Sequence, residues 1–359
     1  MIMEKKRAKM PDFHDQVVLV LGAGGGLGQA IVREFAGAGA RLVLAARSPE
    51  RLAELAQAVG GVTLPADLTD PASLEALSAA VLARFGRVDI VVNAAGYDVR
   101  KPLLQHSQPE LERLVNINLL GAMTLSRVFL AVMAGGTIVH LGGFGDGRLA
   151  FPYYSADVAS RAGVASFVEA VNREQRLHNQ PARLLYFSPA PADTAAERPY
   201  HPIWRAMGIK IATPEQVAAE LLQAVRRGKT QHMMGGALTV FFAKLNAAMP
   251  GLADLLMMNQ YGALLKRHLV DGGPVSERPR RSWTFWLGIV LVVLSFVLYG
   301  LLPVLPFLPL SAAARLGLAP VLIAAGEAAF WVGGLLLGKA FVARMRGWWA
   351  SAWRCLKCG

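Results

Sequence analysis

The sequence predicts an α/β fold built on a doubly wound parallel β-sheet. Between residues 17 and 190, short β-branched runs alternate with alanine- and leucine-rich helical segments, which is typical of strand-helix-strand units. Strands are predicted at residues 17–22, 40–46, 61–67, 88–96, 136–143 and 182–189. Because these runs are apolar throughout, they indicate strands that are buried on both faces of the sheet.

A glycine-rich turn follows the first predicted strand directly. The sequence VVLVLGAGGGLG occupies residues 17–28 and leads into a helical segment. Glycine fits where the backbone needs a positive φ or must approach a pyrophosphate closely, and the following helix N-terminus offers free amides. A glycine turn between a buried strand and a helix therefore predicts a Rossmann-type dinucleotide site.

Further helices are predicted after the sheet. Thr213 as N-cap, Pro214 at the first helical position and Glu215 in the first turn indicate a helix that ends at Arg227. The apolar stretch at residues 237–266 is interrupted by a proline-glycine pair and by polar residues, which argues against a membrane span. It predicts helices that either lie on a membrane surface or pack in a core or a dimer interface.

Two apolar segments near the C-terminus predict a transmembrane helical hairpin. Residues 283–302 contain no charge, and residues 317–338 contain one interior acid, Glu327. Each segment is long enough to cross a hydrocarbon core of about 30 Å as a helix. Basic residues flank the pair, so the positive-inside rule predicts the inner (cytoplasmic) membrane, with both termini and the dinucleotide-binding domain on the cytoplasmic side. An acid within a span suggests a role or a partner for Glu327.

The predicted domains follow from these segments. They are a basic N-terminal tail at residues 1–13, a dinucleotide-binding domain at 14–270, a linker at 271–282, the hairpin at 283–338 and a basic cytoplasmic tail at 339–359.

The net charge of +12 is distributed unevenly along the chain. The first nine residues carry +3 and residues 278–359 carry +8, which leaves +1 for the long middle part. A nearly neutral domain argues against nucleic acid as a partner. The only two cysteines, Cys355 and Cys358, lie in the C-terminal tail, where a disulfide would cross-link no core, so the globular part is expected to be cytosolic.

The order of the motifs resembles that of the short-chain dehydrogenases/reductases. The glycine turn has this family's GxxxGxG spacing, and ADLTD, VVNAAG and VNINLLG follow at the family's intervals. The resemblance covers roughly residues 14–230. It implies a nicotinamide dinucleotide cofactor, hydride transfer to or from a carbonyl or an alcohol, and assembly as a homo-oligomer.

The resemblance also implies a set of cofactor contacts. The matching positions would face the pyrophosphate (Gly22, Gly26, Leu27 and Gly28), the adenine (Asp67 and Leu68), the ribose side (Asn93, Ala95 and Gly96) and the nicotinamide amide (Thr194). After the second strand, an acidic residue would bind the 2′-hydroxyl of NAD, whereas a basic residue accommodates a 2′-phosphate. Arg47 stands at this position and favours NADP over NAD; the alternative is that it simply faces water.

The proton-handling positions depart from the family pattern. The family uses a serine, a tyrosine, a lysine four residues after the tyrosine, and an asparagine. Asn118 matches the asparagine, with Asn116 as a less favoured register. The segment ADVASRAGV places Asp157 at the tyrosine position and Arg161 at the lysine position, and Gly143 stands at the serine position.

Asp157 is a poor replacement for a tyrosine proton donor. An unperturbed aspartate has a pKa of about 3.9 and is ionised at neutral pH. Burial would raise that pKa, but Arg161, four residues further along a helix, favours the charged form. The plain interpretation is therefore an ion pair, and Tyr154, one turn earlier, is the alternative proton donor.

Three functions remain open from the sequence. The leading hypothesis is a membrane-anchored NADP(H)-dependent oxidoreductase that acts on a carbonyl or alcohol of an apolar substrate. The second is a catalytically impaired cofactor-binding sensor or scaffold at the membrane, because positioned acid-base groups typically contribute ~10² to 10⁴ in rate. The third is a component attached to a transporter, because the hairpin resembles small two-helix modules appended to some bacterial transporters.

Overall fold

The computed structural model describes residues 13–144, 149–272, 283–309 and 311–337. The chain divides into two compact units, Met1–Ser276 and Glu277–Gly359. Residues 1–12 of the predicted N-terminal tail, residues 273–282 of the linker and the whole C-terminal tail lie outside the described residues.

The first unit contains a seven-stranded parallel sheet. The strands are β1 Val17–Leu21, β2 Arg41–Ala46, β3 Val62–Pro65, β4 Ile90–Asn93, β5 Gly136–Leu141, β6 Ala182–Ser188 and β7 Gln231–Met233. The six predicted strands are confirmed, although β4 is shorter than predicted. The sequence did not predict β7, because a strand of three residues, QHM, forms no apolar run.

Eleven helices accompany the sheet in the described part of this unit. They are α1 Gly26–Gly37, α2 Ala53–Val59, α3 Pro71–Phe85, α4 Gln108–Val115, α5 Gly121–Leu130, α6 Ser155–Leu177, α7 His201–Ala206, α8 Pro214–Arg226, α9 Ala237–Ala248, α10 Pro250–Met257 and α11 Ala263–Leu269. The predicted cap of α8 is confirmed: the Thr213 hydroxyl accepts a hydrogen bond from the Gln216 amide.

The strand order β3-β2-β1-β4-β5-β6-β7 reverses direction between β1 and β4. In open α/β sheets, ligands bind at the carboxyl ends of the strands, at such a reversal point. The predicted Rossmann-type doubly wound sheet is therefore confirmed, and its reversal point lies beside the glycine turn that follows β1.

Apolar side chains cover both faces of the sheet. One core includes Phe35 of α1 and Leu221 of α8, and the other includes Phe129 of α5 and Val168 of α6. A third cluster joins the start of α6 to α7, α10 and α11. The helices predicted within residues 237–266 are confirmed, and Leu265 of α11 is fully buried in this third cluster, so packing in a core accounts for part of that apolar stretch.

The second unit contains two apolar helices, α12 Trp283–Leu301 and α13 Ala312–Leu337, joined by a 3-10 turn at Leu302–Phe307. A Cβ atom at Gly333 would lie 2.7 Å from the Gly288 carbonyl oxygen, so the helix backbones approach closely. Glu327 accepts hydrogen bonds from the Tyr299 hydroxyl and the Trp331 indole. By length and composition both helices are apolar enough to cross a membrane, which weakly suggests membrane association.

Candidate cofactor and catalytic site

The turn after β1 has room only for glycine at three positions. Gly22 adopts a φ of +75°, and an added Cβ there would lie 2.6 Å from the Ala95 amide nitrogen. A Cβ at Gly28 would lie 2.2 Å from the Gly22 carbonyl oxygen, and one at Gly26 would lie 2.8 Å from the Thr194 methyl group. These distances are far below van der Waals contact, so the backbone itself requires glycine at Gly22 and Gly28, and the Thr194 side chain requires it at Gly26.

The N-terminus of α1 follows the turn. Gly25 is the N-cap residue and provides no side-chain hydrogen bond to the first helical amides. Those amides, together with the positive end of the helix dipole, are the groups that bind pyrophosphate in dinucleotide folds. Leu27, predicted near the pyrophosphate, lies in this first turn and packs against the neighbouring hydrophobic core.

The segment after β4 packs directly against this turn. Asn93 ends β4, and its side-chain oxygen accepts a hydrogen bond of 3.3 Å from the Ala95 amide. A Cβ at Gly96 would lie 3.6 Å from the Asn118 side-chain oxygen and 3.8 Å from an Arg161 guanidinium nitrogen. We call residues 22–28 and 93–96 the cofactor cradle. The structure brings the cradle next to two of the predicted catalytic residues.

Arg47 and Asp67 lie at the carboxyl ends of β2 and β3. Arg47 is exposed, and its guanidinium makes no hydrogen bond to a described residue. Hydrogen bonds from the Thr69 amide (2.9 Å) and hydroxyl (2.7 Å) lower the pKa of Asp67, and the charge of Arg47 adds to this effect. Leu68 is buried and packs against Gly121 at the start of α5.

Asn118 lies in a π-helical turn, Asn116–Leu120, between α4 and α5. Its side-chain oxygen accepts from the Tyr97 amide at 2.9 Å, and its side-chain nitrogen donates to the Tyr97 carbonyl at 2.8 Å and to the Ser160 hydroxyl at 3.2 Å. Single π turns are frequent at functional sites. Asn118 thus connects the segment after β4 to α6, and its neighbour Asn116 begins the same turn.

Asp157 and Arg161 form the predicted ion pair on α6. The Arg161 Nε donates to Asp157 Oδ1 at 2.7 Å, but only 10% of the Asp157 side chain and 18% of the Arg161 side chain is exposed. Burial raises the pKa of Asp157 and outweighs the opposing charge of Arg161, and Asp98 raises it further. The sequence pattern predicted the pairing and the direction of the Arg161 effect, but it could not show how deeply the pair is buried, which is what raises the pKa of Asp157.

Gly143, at the serine position, has no hydroxyl, but a tyrosine hydroxyl reaches it from the next strand. The Gly143 amide donates to the Tyr186 hydroxyl at 3.2 Å. A Cβ at Gly142 would lie 2.2 Å from the same hydroxyl oxygen. Gly142 therefore leaves room for the tyrosine of β6. The sequence carries two signals for this contact: Tyr186 lies near the end of a buried strand, and two glycines directly follow the neighbouring strand β5. Sequence reasoning missed the contact.

A buried cluster around Arg100 was also missed. The Arg100 guanidinium, 8% exposed, donates to both carboxylate oxygens of Glu197 at 2.9 and 2.7 Å and to Asp98 at 2.7 Å. The guanidinium carbon lies 3.8 Å from the centre of the Tyr200 ring. The Trp204 indole also donates to Glu197. We call these residues and Tyr154 the Arg100 cluster; it ties the segment after β4 to the segment after β6.

Tyr154, the alternative proton donor, belongs to this cluster. Its side chain is 5% exposed, its ring centre lies 4.9 Å from the Arg100 guanidinium carbon, and it packs on Phe151 and Trp204. Its hydroxyl is buried and has no hydrogen-bond partner among the described residues. Burial raises its pKa, which makes it a weaker acid than an ordinary tyrosine.

The comparisons with known proteins agree with this geometry. A family model described as short chain dehydrogenase matches residues 16–202, just over half of the chain. The chain belongs to the short-chain dehydrogenases/reductases. This family consists of oxidoreductases that bind a nicotinamide dinucleotide.

Two relatives show the extent of the similarity. Dehydrogenase/reductase SDR family member 7B of Bos taurus is 27% identical over 265 residues, which cover 68% of this chain and 81% of the relative. An uncharacterized oxidoreductase of Staphylococcus aureus is 26% identical and aligns with 60% of this chain and 93% of its own length.

Solved structures show the same fold. A short-chain dehydrogenase from Streptomyces avermitilis is 26% identical, with a TM-score of 0.58, and the match covers 69% of this chain and 97% of that one. A short chain dehydrogenase from Burkholderia cenocepacia, solved in complex with NADP, is 21% identical, with a TM-score of 0.57 and coverages of 61% and 96%.

Proposed function

We propose that this protein is a membrane-anchored oxidoreductase that binds NADP(H) and acts on the carbonyl or alcohol group of an apolar substrate. The observation that carries this proposal is the cofactor cradle. Glycine is sterically required at Gly22, Gly26 and Gly28, and the backbone at Ala95 lies directly against the first of them. The cradle fits a pyrophosphate, because it combines a turn without side chains and uncapped helix amides.

Arg47 supports the preference for NADP(H). It lies at the carboxyl end of β2, is exposed, and uses none of its guanidinium donors on a described residue. Arginine binds phosphate through charge-assisted and often paired hydrogen bonds. The NADP complex of the Burkholderia cenocepacia neighbour is compatible with this choice.

We assign acid-base roles to residues around Gly96. When bound, the nicotinamide would supply or accept the hydride. Arg161 lies beside Gly96, and we assign it a hydrogen bond to the cofactor ribose; Asn118 fixes the Tyr97 backbone next to it. In the reductive direction, the neutral form of Asp157 would donate its proton to the carbonyl oxygen while the hydride adds to the carbonyl carbon. Arg161 would then stabilise the carboxylate that this transfer leaves.

The membrane anchor is proposed from the second unit. Its apolar helices leave most of their side chains exposed, as lipid-facing helices do, and Glu327 is held by hydrogen bonds rather than left unpaired. With the domain limits given above, this hairpin would attach the enzyme to the inner membrane with the sheet domain in the cytoplasm. Because this attachment would hold the enzyme near the lipid surface, we propose that its substrate is apolar.

A second candidate is a cofactor-binding sensor or scaffold without turnover. The specific observation in its favour is that Arg161 donates a hydrogen bond to Asp157, while Gly143 has no side-chain hydroxyl. In this alternative the dinucleotide would bind, and the buried ion pair would serve only to stabilise α6.

Binding and turnover separate the two candidates. The full chain, purified in detergent, would be titrated with NADPH and NADH by fluorescence and then assayed with panels of ketones, aldehydes and alcohols. The proposal predicts saturable binding, tighter for NADPH, and cofactor turnover with at least one apolar carbonyl or alcohol. Binding without turnover across the panels would favour the sensor, and absence of binding would contradict both candidates.

A further inference from the structure

A fully buried histidine lies beneath the cofactor cradle. His140, on β5, has no exposed surface and is placed between β4 and α5. Its Nε2 lies 2.8 Å from the Ser126 hydroxyl, and its Nδ1 lies 3.4 Å from the side-chain nitrogen of Asn93. Asn93 is one of the cradle residues, so the histidine contacts the cradle from the interior of the sheet.

The hydrogen bonds around His140 permit a single assignment of donors. The Ser126 hydroxyl donates to the Ala122 carbonyl at 2.9 Å, so it accepts from the histidine, whose proton must be on Nε2. The unprotonated Nδ1 then accepts from the Asn93 amide nitrogen. This fixes the orientation of the Asn93 amide and turns its oxygen toward the Ala95 amide, which donates to it.

The Ala95 amide, which is the last group in this series of hydrogen bonds, contacts the glycine turn. The Ala95 amide nitrogen is the atom that a Cβ at Gly22 would approach to 2.6 Å. The Ala95 backbone and the first glycine are therefore in contact, and a rotation of the Asn93 amide would shift the surface against which the dinucleotide is expected to bind.

We propose that His140 is a positioning residue for the cofactor cradle, because it holds the Asn93 side chain in the one orientation that fixes the Ala95 backbone. The inference rests on the proposed function only in that the cradle binds the dinucleotide. Protonation of His140 would place an N–H against the Asn93 NH₂ group, so that two donors would face each other and the amide would have to rotate. Cofactor affinity should therefore fall in acid.

The surroundings of His140 favour its neutral form. Burial lowers its pKa to about 4, and no charged group contributes to this shift. Asn93 faces it from β4 and Ser126 from α5, both uncharged, and the titratable Tyr186 is its neighbour across the pairing with β6. At neutral pH the histidine is therefore an acceptor toward Asn93, as the cradle requires.

The first test is NADPH binding by the full chain at pH 7.5, followed by fluorescence. His140→Phe keeps a ring in the core but removes both nitrogens, and loss of one buried hydrogen-bond constraint should weaken binding roughly tenfold. His140→Gln can still donate and accept, and should bind within roughly twofold of the wild type. His140→Phe should have no further effect in an Asn93→Ala background, because the interaction acts through Asn93.

A matched control separates positioning from stability. Val139 is equally buried but belongs to the core on the opposite face of the sheet. Val139→Ala should lower the melting temperature without weakening NADPH binding. If it weakens binding as much as His140→Phe does, or if His140→Phe binds like the wild type, the proposal is overturned.

The pH dependence provides a second readout that needs no aromatic variant. NADP⁺ binding measured by calorimetry between pH 7.5 and pH 3.5, a range that spans the histidine's pKa of about 4, should weaken more steeply for the wild type than for His140→Gln, which does not titrate. Parallel curves would overturn the proposal. If the wild type binds neither NADPH nor NADH, the proposed function fails and this inference with it; if it binds both normally and His140→Phe changes nothing, only the inference fails.

Discussion

The glycine turn after β1 and the start of α6 lie at the same edge of the sheet, but they are built differently. The turn is determined by contacts of backbone with backbone, such as that of Gly28 with the Gly22 carbonyl. The start of α6 is determined by side chains that form hydrogen bonds and ion pairs with one another, such as Asp157 and Arg161. A backbone contact leaves little freedom of residue type, whereas a side-chain pair is replaced by another pair that fits the same space.

This difference explains why one half of the site matches the family pattern and the other does not. Any Cβ at Gly28 collides with backbone atoms, so no neighbouring side chain can move to compensate. At α6, Asp157 and Arg161 stand where the family has tyrosine and lysine, and they bond to each other within a continuous helix. The experiments below test whether the two halves respond to substitution in these different ways.

The largest expected effect is on stability and comes from the side-chain half. Arg100→Ala would leave the mostly buried Glu197 without its two hydrogen bonds from the guanidinium, and breaking such a pair should cost about 3 kcal/mol of unfolding free energy. Arg127→Ala removes a pair with Glu75 that is exposed on both sides, and should cost less than ~1 kcal/mol. Urea denaturation of both variants measures the difference; equal losses would contradict the description of the Arg100 cluster.

The second effect is on cofactor binding and comes from the backbone half. Gly28→Ala places a Cβ 2.2 Å from the Gly22 carbonyl oxygen and should weaken NADPH binding roughly hundredfold, because overpacking of this size costs ~3 kcal/mol. Gly251→Ala is the matched control, because this glycine lies outside the cradle, in α10, and its Cβ would meet nothing within 4 Å. NADPH titration of the two variants should separate them, and similar affinities would mean that the turn does not bind the cofactor.

The third effect is a pH dependence of stability due to His140. Its pKa of about 4 in the folded chain is below the ordinary value of about 6.5, so the unfolded chain binds the proton first as the pH falls. The free energy of unfolding should therefore decrease from about pH 6.5 downward, by about 2 kcal/mol between pH 7.5 and pH 5. Denaturation of the wild type and of His140→Gln at both pH values measures this; the same slope in both proteins would exclude the histidine as its source.

The smallest effect concerns the choice of cofactor. Arg47→Glu should reduce the preference for NADPH over NADH by roughly tenfold, because an acid repels the 2′-phosphate and accepts from the 2′-hydroxyl. Arg51→Glu changes another exposed arginine a few residues away and serves as the charge control. The ratio of the two dissociation constants is the readout, and an equal shift in both variants would indicate a general charge effect.

Local signals made the fold predictable. The apolar strands, the glycine turn and the Thr213 cap are each encoded within a few neighbouring residues. The Arg100–Glu197 pair joins residues 97 positions apart, and the Asn93–His140 contact joins residues 47 positions apart, so neither leaves a local pattern.

The same limit applies to the chemistry of the site. The i, i+4 spacing predicts that Asp157 meets Arg161, but the pKa of Asp157 depends on burial, which only the packed structure shows. Likewise, the π turn at Asn116–Leu120 differs from an α-helical turn only in its hydrogen-bond spacing, which the motif NINLL does not reveal.

The central claim is that the cofactor cradle is intact while Asp157 has taken over the proton transfer. It is tested most directly by the single-turnover oxidation of bound NADPH with 9,10-phenanthrenequinone, comparing the wild type with Asp157→Asn. The account predicts equal fluorescence of bound NADPH before mixing and an oxidation rate that is roughly hundredfold lower in the variant. Equal rates in the two proteins, or no oxidation by the wild type, would contradict it.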